Sequence, residues 1–516
     1  MQSKPQNPNT EIRWVMIAAA CVVALASLPY LVVYFTTPPD LRFVGTLLNP
    51  LDGNSYFAKM QIGAQGGWLF HLLYSAPDHP GALLFTFHIF LGHCAEWAHL
   101  PIPLVYHAVR VAAGFALLLT SYALIARAMQ DLAERRSAFL MVALSSGLGW
   151  LAVMAGYLET SDLAIPESNT FFSLHINAHF PLAMALMTGI WVGSIETVAG
   201  PGWTRRLSLV TLASLLLAIV QPFAVVPLYL TLGVYVVLRS WRDKRIAWLP
   251  VWTASVAGAI TLPLALYTFW VTQADPVLRE WTTQNLTPSP PVWDYALGYG
   301  LILALAVPGA IAAVRRRSDV DLLLLAWIGV TAILLYAPFA LQRRFSLGLH
   351  MPLAILAATG LVRLAKGRKL AMGLTIAATS LSTGLVLVLA LGGGLTHDAR
   401  LFVSADEALA MDWLKGNSAR DAVVLASPEM GLFIPAWAGR RVVYGHPFET
   451  VDAERTKARV QDFFAAGTDG AQRQTMLHEW RVALVFVGPR ERKLGLSSGT
   501  PGRPVYQNTT VAIYQP

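Results

Sequence analysis

Long apolar runs separated by short polar stretches dominate the first three-quarters of the chain. A helix needs about 20 mostly apolar residues to cross a bilayer, and nine runs reach or approach that length. They are residues 14–36, 103–126, 137–157, 178–199, 247–271, 293–313, 322–340, 346–364 and 370–392. A further run, residues 207–239, is too long for one crossing and is interrupted by Gln221-Pro222. Because proline breaks or kinks a helix, we interpret this run as two short helices.

The pattern therefore predicts about eleven membrane-spanning helices. Residues 81–100 are also apolar enough to cross, although they contain polar side chains that are unusual in a span. If this segment crosses the membrane, the basic clusters that follow it change sides unless a second segment crosses as well. The sequence thus leaves eleven to thirteen crossings open.

Charge is distributed unevenly along the 516 residues. Charged side chains make up 13% of the sequence, about half of their usual share in soluble domains. Residues 1–395 contain 41 of them, whereas the last 121 residues contain 27. The sequence therefore predicts an all-α polytopic membrane domain over residues 1–394, followed by a small α/β domain over residues 395–516.

Basic residues account for the net charge of +8, and most of the excess lies in short clusters between apolar runs. These clusters are Arg135-Arg136, Arg205-Arg206, Arg242–Arg245, Arg315–Arg317 and Lys366–Lys369. Under the positive-inside rule they place the N-terminus inside and the tail outside. The clusters are not interleaved with exposed aromatic residues, so we expect membrane lipids and no nucleic acid as partners. High Ala, Leu and Arg usage without a targeting signal favours a bacterial inner membrane.

Two exterior segments follow from this topology: a large first loop, residues 37–102, and the tail from residue 395. The tail shows helical and strand patterns in alternation. The predicted helices are residues 405–415, 453–466 and 470–479, and the predicted strands are residues 422–426, 441–444, 482–487 and a closing segment 505–514.

The first loop contains an acid that can carry chemistry. Asp52 can cap a helix over residues 54–64, which Gly66-Gly67 would end. Tyr56 and Lys59 would share one face of that helix. In one interpretation Asp52 is only a cap and Lys59 only contacts lipid headgroups. In the other, Asp52 is a general base in a partly desolvated groove.

An arginine pair, Arg343-Arg344, falls on the exterior side of the membrane by the helix count. This placement departs from the positive-inside rule. Two guanidinium groups near a bilayer surface suit a phosphate, which accepts bidentate, charge-assisted hydrogen bonds. The alternative is that both side chains extend toward anionic lipid headgroups.

Three segments together resemble the GT-C class of membrane glycosyltransferases. Asp52, followed by Tyr56 and then by Gly66-Gly67-Trp68, is similar to the first exterior loop of that class. The segment Tyr74–Gly81 contains His79-Pro80 and is similar to the approach to its next helix. The class often has a second acid beside the first. Here that position is Gly53, which weakens a two-carboxylate or metal-dependent mechanism.

The other two segments lie downstream. Gln342–Leu353, which includes Arg343, Arg344 and His350, resembles a late arginine–aromatic–proline element of the same class. Residues 427–447 resemble the C-terminal domains of uncharacterised bacterial members.

This resemblance implies a glycosyltransferase that uses a polyprenyl-phosphate-linked sugar as donor. The acceptor hydroxyl would belong to a glycan, a lipid or a protein on the exterior face. Asp52 would act as general base with inversion at the sugar, and Arg343 and Arg344 would bind the donor phosphate. No cofactor is firmly implied, and a divalent cation stays open without being favoured.

Further polar residues are candidates for a substrate groove. They are Tyr56, Lys59, His79, Glu167, His175, His179 and His350. His175 and His179 are four residues apart and could face one site, or they could cap helices at the interface. His93, Glu96 and His99 have a spacing that could bind a metal, although a polar helix face is the simpler interpretation.

Two other functions stay open. A multi-span transporter or flippase of a lipid-linked or small polar substrate would use the polar break at Gln221-Pro222. A sensor or assembly subunit would use the tail as a ligand-binding module.

Overall fold

The structure is a computed structural model that describes residues 8–195, 202–496 and 502–516. These residues form two compact units. The bundle unit comprises the described chain up to Pro29, together with His107–Tyr267 and Thr287–Ala390. The loop–tail unit comprises Tyr30–Tyr106, Thr268–Leu286 and the described chain from Leu391 onward.

Helices account for most of the described chain. Up to residue 195 they are α1 (Pro8–Thr36), α2 (Pro50–Ala64), α3 (Thr86–Ala98), α4 (Ile102–Ala128), α5 (Leu132–Leu144), α6 (Gly149–Met154), α7 (Ser161–Ala164), α8 (Thr170–Ile176) and α9 (His179–Ile195). Between residues 202 and 395 they are α10 (Trp203–Val220), α11 (Val225–Asp243), α12 (Trp248–Ala274), α13 (Pro276–Gln284), α14 (Val292–Arg316), α15 (Asp319–Leu334), α16 (His350–Ala365), α17 (Lys369–Thr379) and α18 (Leu381–Leu395). The tail contains α19 (Ala405–Asn417), α20 (Pro428–Ala438), α21 (Ala453–Phe464), α22 (Gly470–Glu479) and α23 (Pro489–Lys493).

Each predicted apolar run is largely helical, although the runs 137–157 and 370–392 are each divided between two helices, α5 and α6 in the first and α17 and α18 in the second. Among the described residues, eight helical stretches are long and apolar enough to cross a membrane: Asn9–Thr36, Ile102–Ala128, Leu132–Met154, Trp203–Val220, Pro222–Asp243, Trp248–Ala274, Val292–Arg316 and Lys369–Leu395. This number is lower than the eleven to thirteen predicted, because the described part of α9 has only 17 residues and α15 and α16 have 16 each. Residues 196–199 of the predicted run 178–199 lie outside the described residues. The fold is that of a multi-pass membrane protein.

The break at Gln221-Pro222 divides its run into two helices, as predicted. Helix α10 ends at Val220, and a 3-10 turn at Pro222–Ala224 leads into α11.

The uncertain segment at residues 81–100 forms α3, which has only 13 residues. It packs closely against α2 through two glycines. A Cβ atom on Gly63 would lie 1.9 Å from the carbonyl oxygen of Ile89, and one on Gly92 would lie 1.8 Å from that of Met60. Only glycine permits this approach of two helix backbones. Helix α3 is therefore a short helix packed on α2 and is too short to cross a membrane.

The tail forms the predicted mixture of helices and strands. Its sheet has the order β4-β3-β5-β7-β6, with strands β3 (Val423–Leu425), β4 (Arg441–Val442), β5 (Leu484–Val487), β6 (Arg503–Gln507) and β7 (Ala512–Gln515). Strand β3 is parallel to β4 and β5, whereas β7 is antiparallel to β5 and β6. The predicted closing segment is thus a hairpin.

Apolar cores cover both faces of this sheet. Val424 and Phe486 belong to one buried cluster, with residues of α19 and α20. Val485 and Phe463 belong to the other, with residues of α21 and α22. A second, two-stranded sheet pairs β1 (Leu41–Phe43) of the first loop with β2 (Phe402–Ser404) at the start of the tail. The first loop and the tail therefore fold together as one unit.

Candidate functional site

Helix α2 begins at Pro50, one turn earlier than predicted, and its N-cap is Asn49 and not Asp52. The Asn49 side-chain oxygen accepts a hydrogen bond from the backbone N–H of Asp52 at 3.4 Å. In return, the Asn49 amide donates to the Asp52 carboxylate at 2.7 Å. Asp52 is only partly buried. Its carboxylate is therefore held in the first turn of α2 by the Asn49 amide.

Lys59, one of the predicted groove residues, is buried with 2% of its surface exposed. Its ammonium lies 2.6 Å from the carboxylate of Glu449. The Ser55 hydroxyl hydrogen-bonds to both groups. The Phe85 ring covers the ammonium at 4.4 Å. Lys59 thus links α2 to the tail segment that follows β4.

Burial alone would raise the pKa of Glu449, but the charges of Lys59 and His446 and the hydrogen bonds from Lys59 and Ser55 hold that pKa below its ordinary value. Burial lowers the pKa of His446, against the opposing charges of Glu449 and Asp52. Glu449 is therefore ionised and His446 neutral near pH 7.

Neither Glu449 nor His446 was assigned a role from the sequence. The sequence contains only an indirect indication of Glu449. A lysine on a buried helix face needs a carboxylate partner, but the sequence does not identify that partner.

The two remaining loop candidates are both fully engaged by their neighbours. The Tyr56 ring stacks on His88 with centroids 4.8 Å apart. Burial, together with the charge of Lys59, lowers the pKa of His88 to about 3. His79 accepts a hydrogen bond from the backbone N–H of Leu72 at 2.9 Å and donates from Nδ1 to the carbonyl of Pro80 at 2.7 Å. His79 therefore fixes the turn that contains it.

The two predicted phosphate-binding arginines belong to the bundle unit and differ in their environments. Arg344 forms an ion pair with Glu167 at 2.9 Å, and the Glu167 side chain is 2% exposed. Arg343 is partly exposed, and its Nε has no hydrogen-bond partner among the described residues. Arg344 is thus committed to a buried carboxylate, whereas Arg343 retains hydrogen-bonding capacity for a ligand.

The three histidine candidates of the bundle unit lie in its core. His175 donates from Nδ1 to the carbonyl of Ala26 at 2.8 Å, and burial lowers its pKa to about 3. His350 contacts Thr170 at 2.8 Å and Ser145 at 3.2 Å through its two ring nitrogens.

His179 is also buried, with 4% of its surface exposed. His175 and His179 fall on separate helices, α8 and α9, so their spacing of four does not place them on one helix face.

Asp162 and Asp294 are buried acids of the bundle unit that were not predicted. Asp162 accepts hydrogen bonds from the backbone N–H groups of Gly147 and Gly149, each at 3.1 Å. Asp294 accepts one from the backbone N–H of Ser161 at 2.9 Å. Both acids satisfy buried backbone donors, which is a structural role.

A metal site is not apparent in the described part of the chain, where no group of three or more His, Cys, Asp or Glu side chains could hold an ion. His93, which the sequence offered as a ligand, donates a hydrogen bond from Nε2 to the carbonyl of Gly67 at 2.9 Å.

No protein-family model and no curated protein matches the sequence. The fold, in contrast, is similar to several solved structures. The crystal structure of ArnT from Cupriavidus metallidurans bound to undecaprenyl phosphate has 14% identity and a TM-score of 0.55, with 97% of each chain covered. The oligosaccharyltransferase of Archaeoglobus fulgidus has 13% identity and a TM-score of 0.54, with 92% of this chain and 67% of that one covered. The fold is GT-C-like.

A third similar structure is that of the mycobacterial arabinofuranosyltransferase AftD, with 17% identity and a TM-score of 0.52. The match covers 100% of this chain but only 42% of the AftD chain. The three enzymes share the fold with this chain while differing widely from it in sequence.

Proposed function

We propose that this protein is a membrane glycosyltransferase that transfers a sugar from a polyprenyl-phosphate-linked donor to an acceptor hydroxyl on the exterior face. The observation that carries the proposal is the fold likeness over 97% of both chains to a structure that holds undecaprenyl phosphate. A second similar structure, of the archaeal oligosaccharyltransferase AglB, holds a dolichol-phosphate.

Asp52 is the proposed general base. Its carboxylate is partly exposed, and its backbone and one oxygen are fixed by Asn49. It would take the proton of the acceptor hydroxyl as that oxygen attacks the anomeric carbon of the donor. The lipid phosphate leaves as an anion and needs no proton, so one carboxylate is sufficient. A single displacement of this kind inverts the configuration at the anomeric carbon.

Arg343 and Arg344 are the proposed partners of the donor phosphate. The Arg343 side chain is partly exposed and would donate to the phosphate from its guanidinium, whose buried Nε has no partner among the described residues. Arg344 is oriented by its ion pair with Glu167, so a donor phosphate would share this guanidinium with that carboxylate. Preorganised guanidinium donors stabilise the negative charge that develops on a departing phosphate.

The test is sugar transfer by the purified protein in liposomes, with undecaprenyl phosphate carrying a radiolabelled hexose or pentose as donor and a cell-envelope extract as acceptor. We expect Asp52→Asn to lower the transfer rate by about 10²–10⁴-fold, the usual contribution of a general base. Asp40→Asn is the matched control, because Asp40 is an exposed acid of the same loop. It should transfer sugar at the wild-type rate.

Two results would count against the proposal. Wild-type transfer by Asp52→Asn would remove Asp52 from the chemistry. Movement of the labelled lipid across the bilayer without any transfer of its sugar would instead support a flippase.

A further inference from the structure

A cavity of about 470 Å³, lined by apolar and charged side chains, lies within the loop–tail unit and is not used by the proposed chemistry. The C-terminal end of α2 contributes Gln65, the following turn contributes Trp68 and His71, and the tail contributes Arg420 and Asp421. We call it the Trp68 cavity. Its volume falls in the range of small-molecule sites in proteins.

The floor of the Trp68 cavity is held in place by hydrogen bonds that do not involve a ligand. Gln65 donates to the carbonyl of Ala438 at 3.1 Å and accepts from Arg440 at 3.0 Å. Arg441 donates to the backbone carbonyl of Asp421 at 3.0 Å and pairs with Asp78. The cavity is therefore preorganised.

The rim of the Trp68 cavity, in contrast, carries side chains that remain available to a ligand. The side chains of Arg420 and Asp421 are exposed, and they make no hydrogen bond or ion pair within the described ranges. Trp68 is 49% exposed. His93 supports the indole at a ring distance of 4.0 Å, and Trp97 lies 5.5 Å beyond His93. This stack fixes the orientation of Trp68 and leaves about half of its surface open.

The charges of the Trp68 cavity balance. Arg420 and Arg441 are matched by Asp78 and Asp421. Burial is the main reason why the pKa of His71 lies below its ordinary value, so that ring is neutral near pH 7. A site without excess positive charge is poorly suited to a phosphate or another anion.

An open indole face beside guanidinium, carboxylate and imidazole groups matches one chemical class of ligand. Sugars present an apolar C–H face to an aromatic ring and a rim of hydroxyls that both donate and accept hydrogen bonds. We infer that the Trp68 cavity binds a neutral saccharide, with Trp68 under the sugar ring and Arg420 and Asp421 bonded to its hydroxyls.

The position of the cavity adds a constraint on length. Asp52 lies in the first turn of α2 and Gln65 is its C-cap, so about 20 Å of helix separates them at 1.5 Å per residue. If Asp52 is the base, a step that rests on the proposed function, the acceptor is an oligosaccharide long enough to span both places. Its reacting end would lie at Asp52 and a distal sugar in the Trp68 cavity.

Saccharide binding is measurable without donor or turnover. The full chain is placed in phosphatidylcholine nanodiscs, so that no sugar-based detergent competes, and titrated calorimetrically with maltohexaose, cellohexaose and linear mannohexaose. An oligogalacturonate of the same length serves as the anionic comparison. We expect at least one neutral hexasaccharide to bind, and Trp68→Ala and Asp421→Asn each to weaken it by about tenfold, the typical effect of losing an aromatic or charged anchor.

The controls separate this inference from the proposed chemistry. Trp241→Ala and Glu454→Gln remove an exposed indole and an exposed acid outside the cavity, and binding should stay at the wild-type level. Trp68→Phe retains an aromatic face and should recover much of the affinity. Asp52→Asn should lower transfer by about 10²–10⁴-fold while saccharide binding persists. Binding without any transfer by the wild type would overturn the proposed function alone.

Three outcomes would overturn the saccharide site. The first is that no neutral hexasaccharide binds at about 10 mM, well above the usual range of specific ligands. The second is tighter binding of the oligogalacturonate than of every neutral probe. The third is unchanged binding after Trp68→Ala, which would show that this indole faces lipid and not a ligand.

Discussion

The ammonium of Lys59 and the carboxylate of Glu449 lie 2.6 Å apart in a buried position of the loop–tail unit. One residue belongs to the helix that carries Asp52, and the other belongs to the tail. The tail is therefore part of the framework that holds the proposed catalytic helix.

Removing one member of this pair leaves a buried charge without a partner. We expect Lys59→Met and Glu449→Leu each to lower the free energy of unfolding by about 3–5 kcal/mol. The double variant Lys59→Met/Glu449→Leu should recover most of that loss, because an apolar pair has no charge to desolvate. Chemical unfolding in mixed micelles measures all three. The control is Asp452→Asn, which removes an exposed pair with Arg455 and should unfold like the wild type. Additive losses in the double variant would contradict a direct coupling.

The stacked His88 ring should make stability depend on pH. The pKa of His88 is about 3 in the folded protein, whereas the ordinary value, which applies to the unfolded chain, is 6.5. Between pH 3 and pH 6.5, therefore, the ring takes up a proton only in the unfolded chain. Stability contributed by the neutral ring is therefore lost progressively as the pH falls below 6.5. From pH 6.5 to 5 this residue accounts for about 2 kcal/mol. His88→Phe keeps the stack on Tyr56 and should lose less stability on acidification. If the free energy of unfolding of His88→Phe and of the wild type falls equally with pH, His88 is not the residue responsible.

The two arginines of the bundle unit should behave differently when replaced. Arg343→Ala should lower transfer by about tenfold or more through loss of a charge-assisted hydrogen bond, with an unchanged unfolding midpoint. Arg343→Lys should recover part of that activity.

Arg344→Ala should instead lower the unfolding midpoint, because Glu167 is 2% exposed and would lose its ion pair. Adding Glu167→Gln removes the stranded charge and should raise that midpoint again. Thermal unfolding and transfer assays on the same preparations distinguish these roles. Equal thermal losses for the two single variants would show that both arginines are structural.

We expect any side chain added at Gly63 or Gly92 to disrupt the contact between α2 and α3. We expect Gly63→Ala to disrupt it, since the added Cβ would meet the Ile89 carbonyl at 1.9 Å. Gly233→Ala in α11 is the matched control, because no atom lies within 4 Å of its Cβ position. That change should leave the protein as stable or raise its stability by about 0.5–1 kcal/mol, the helix preference of alanine over glycine. Thermal unfolding of both variants measures the difference.

The apolar pattern predicted where the helices lie, but not how long each one is. Run 322–340 gave α15, which ends at Leu334, because hydropathy reports the apolar content of a segment and not the residue at which its backbone turns. The start of α2 was misplaced for a related reason. Both Asn49 and Asp52 are good caps, and Pro50 favours the earlier one by its fixed φ at the first helical position.

The sequence indicated which side chains are candidates for chemistry, but not which residues they contact. Lys59 was singled out on the sequence, whereas its counter-charge lies 390 positions away. No local pattern connects two such residues. Similarly, the spacing of His175 and His179 indicates one face only if a single helix contains both, and the chain ends α8 between them.

Pairing of β1 with β2 has a consequence for biosynthesis. Arg42 pairs with Val403, so the first loop leaves the ribosome long before the strand that completes it. At about 5–20 residues per second, the 390 positions between Lys59 and Glu449 take about 20–80 s to translate. During that interval the nascent loop carries an unpaired lysine and an open strand edge. Insertion of the intervening spans therefore has to finish before this unit can close, and translation pauses in that interval would lengthen its exposure to proteases.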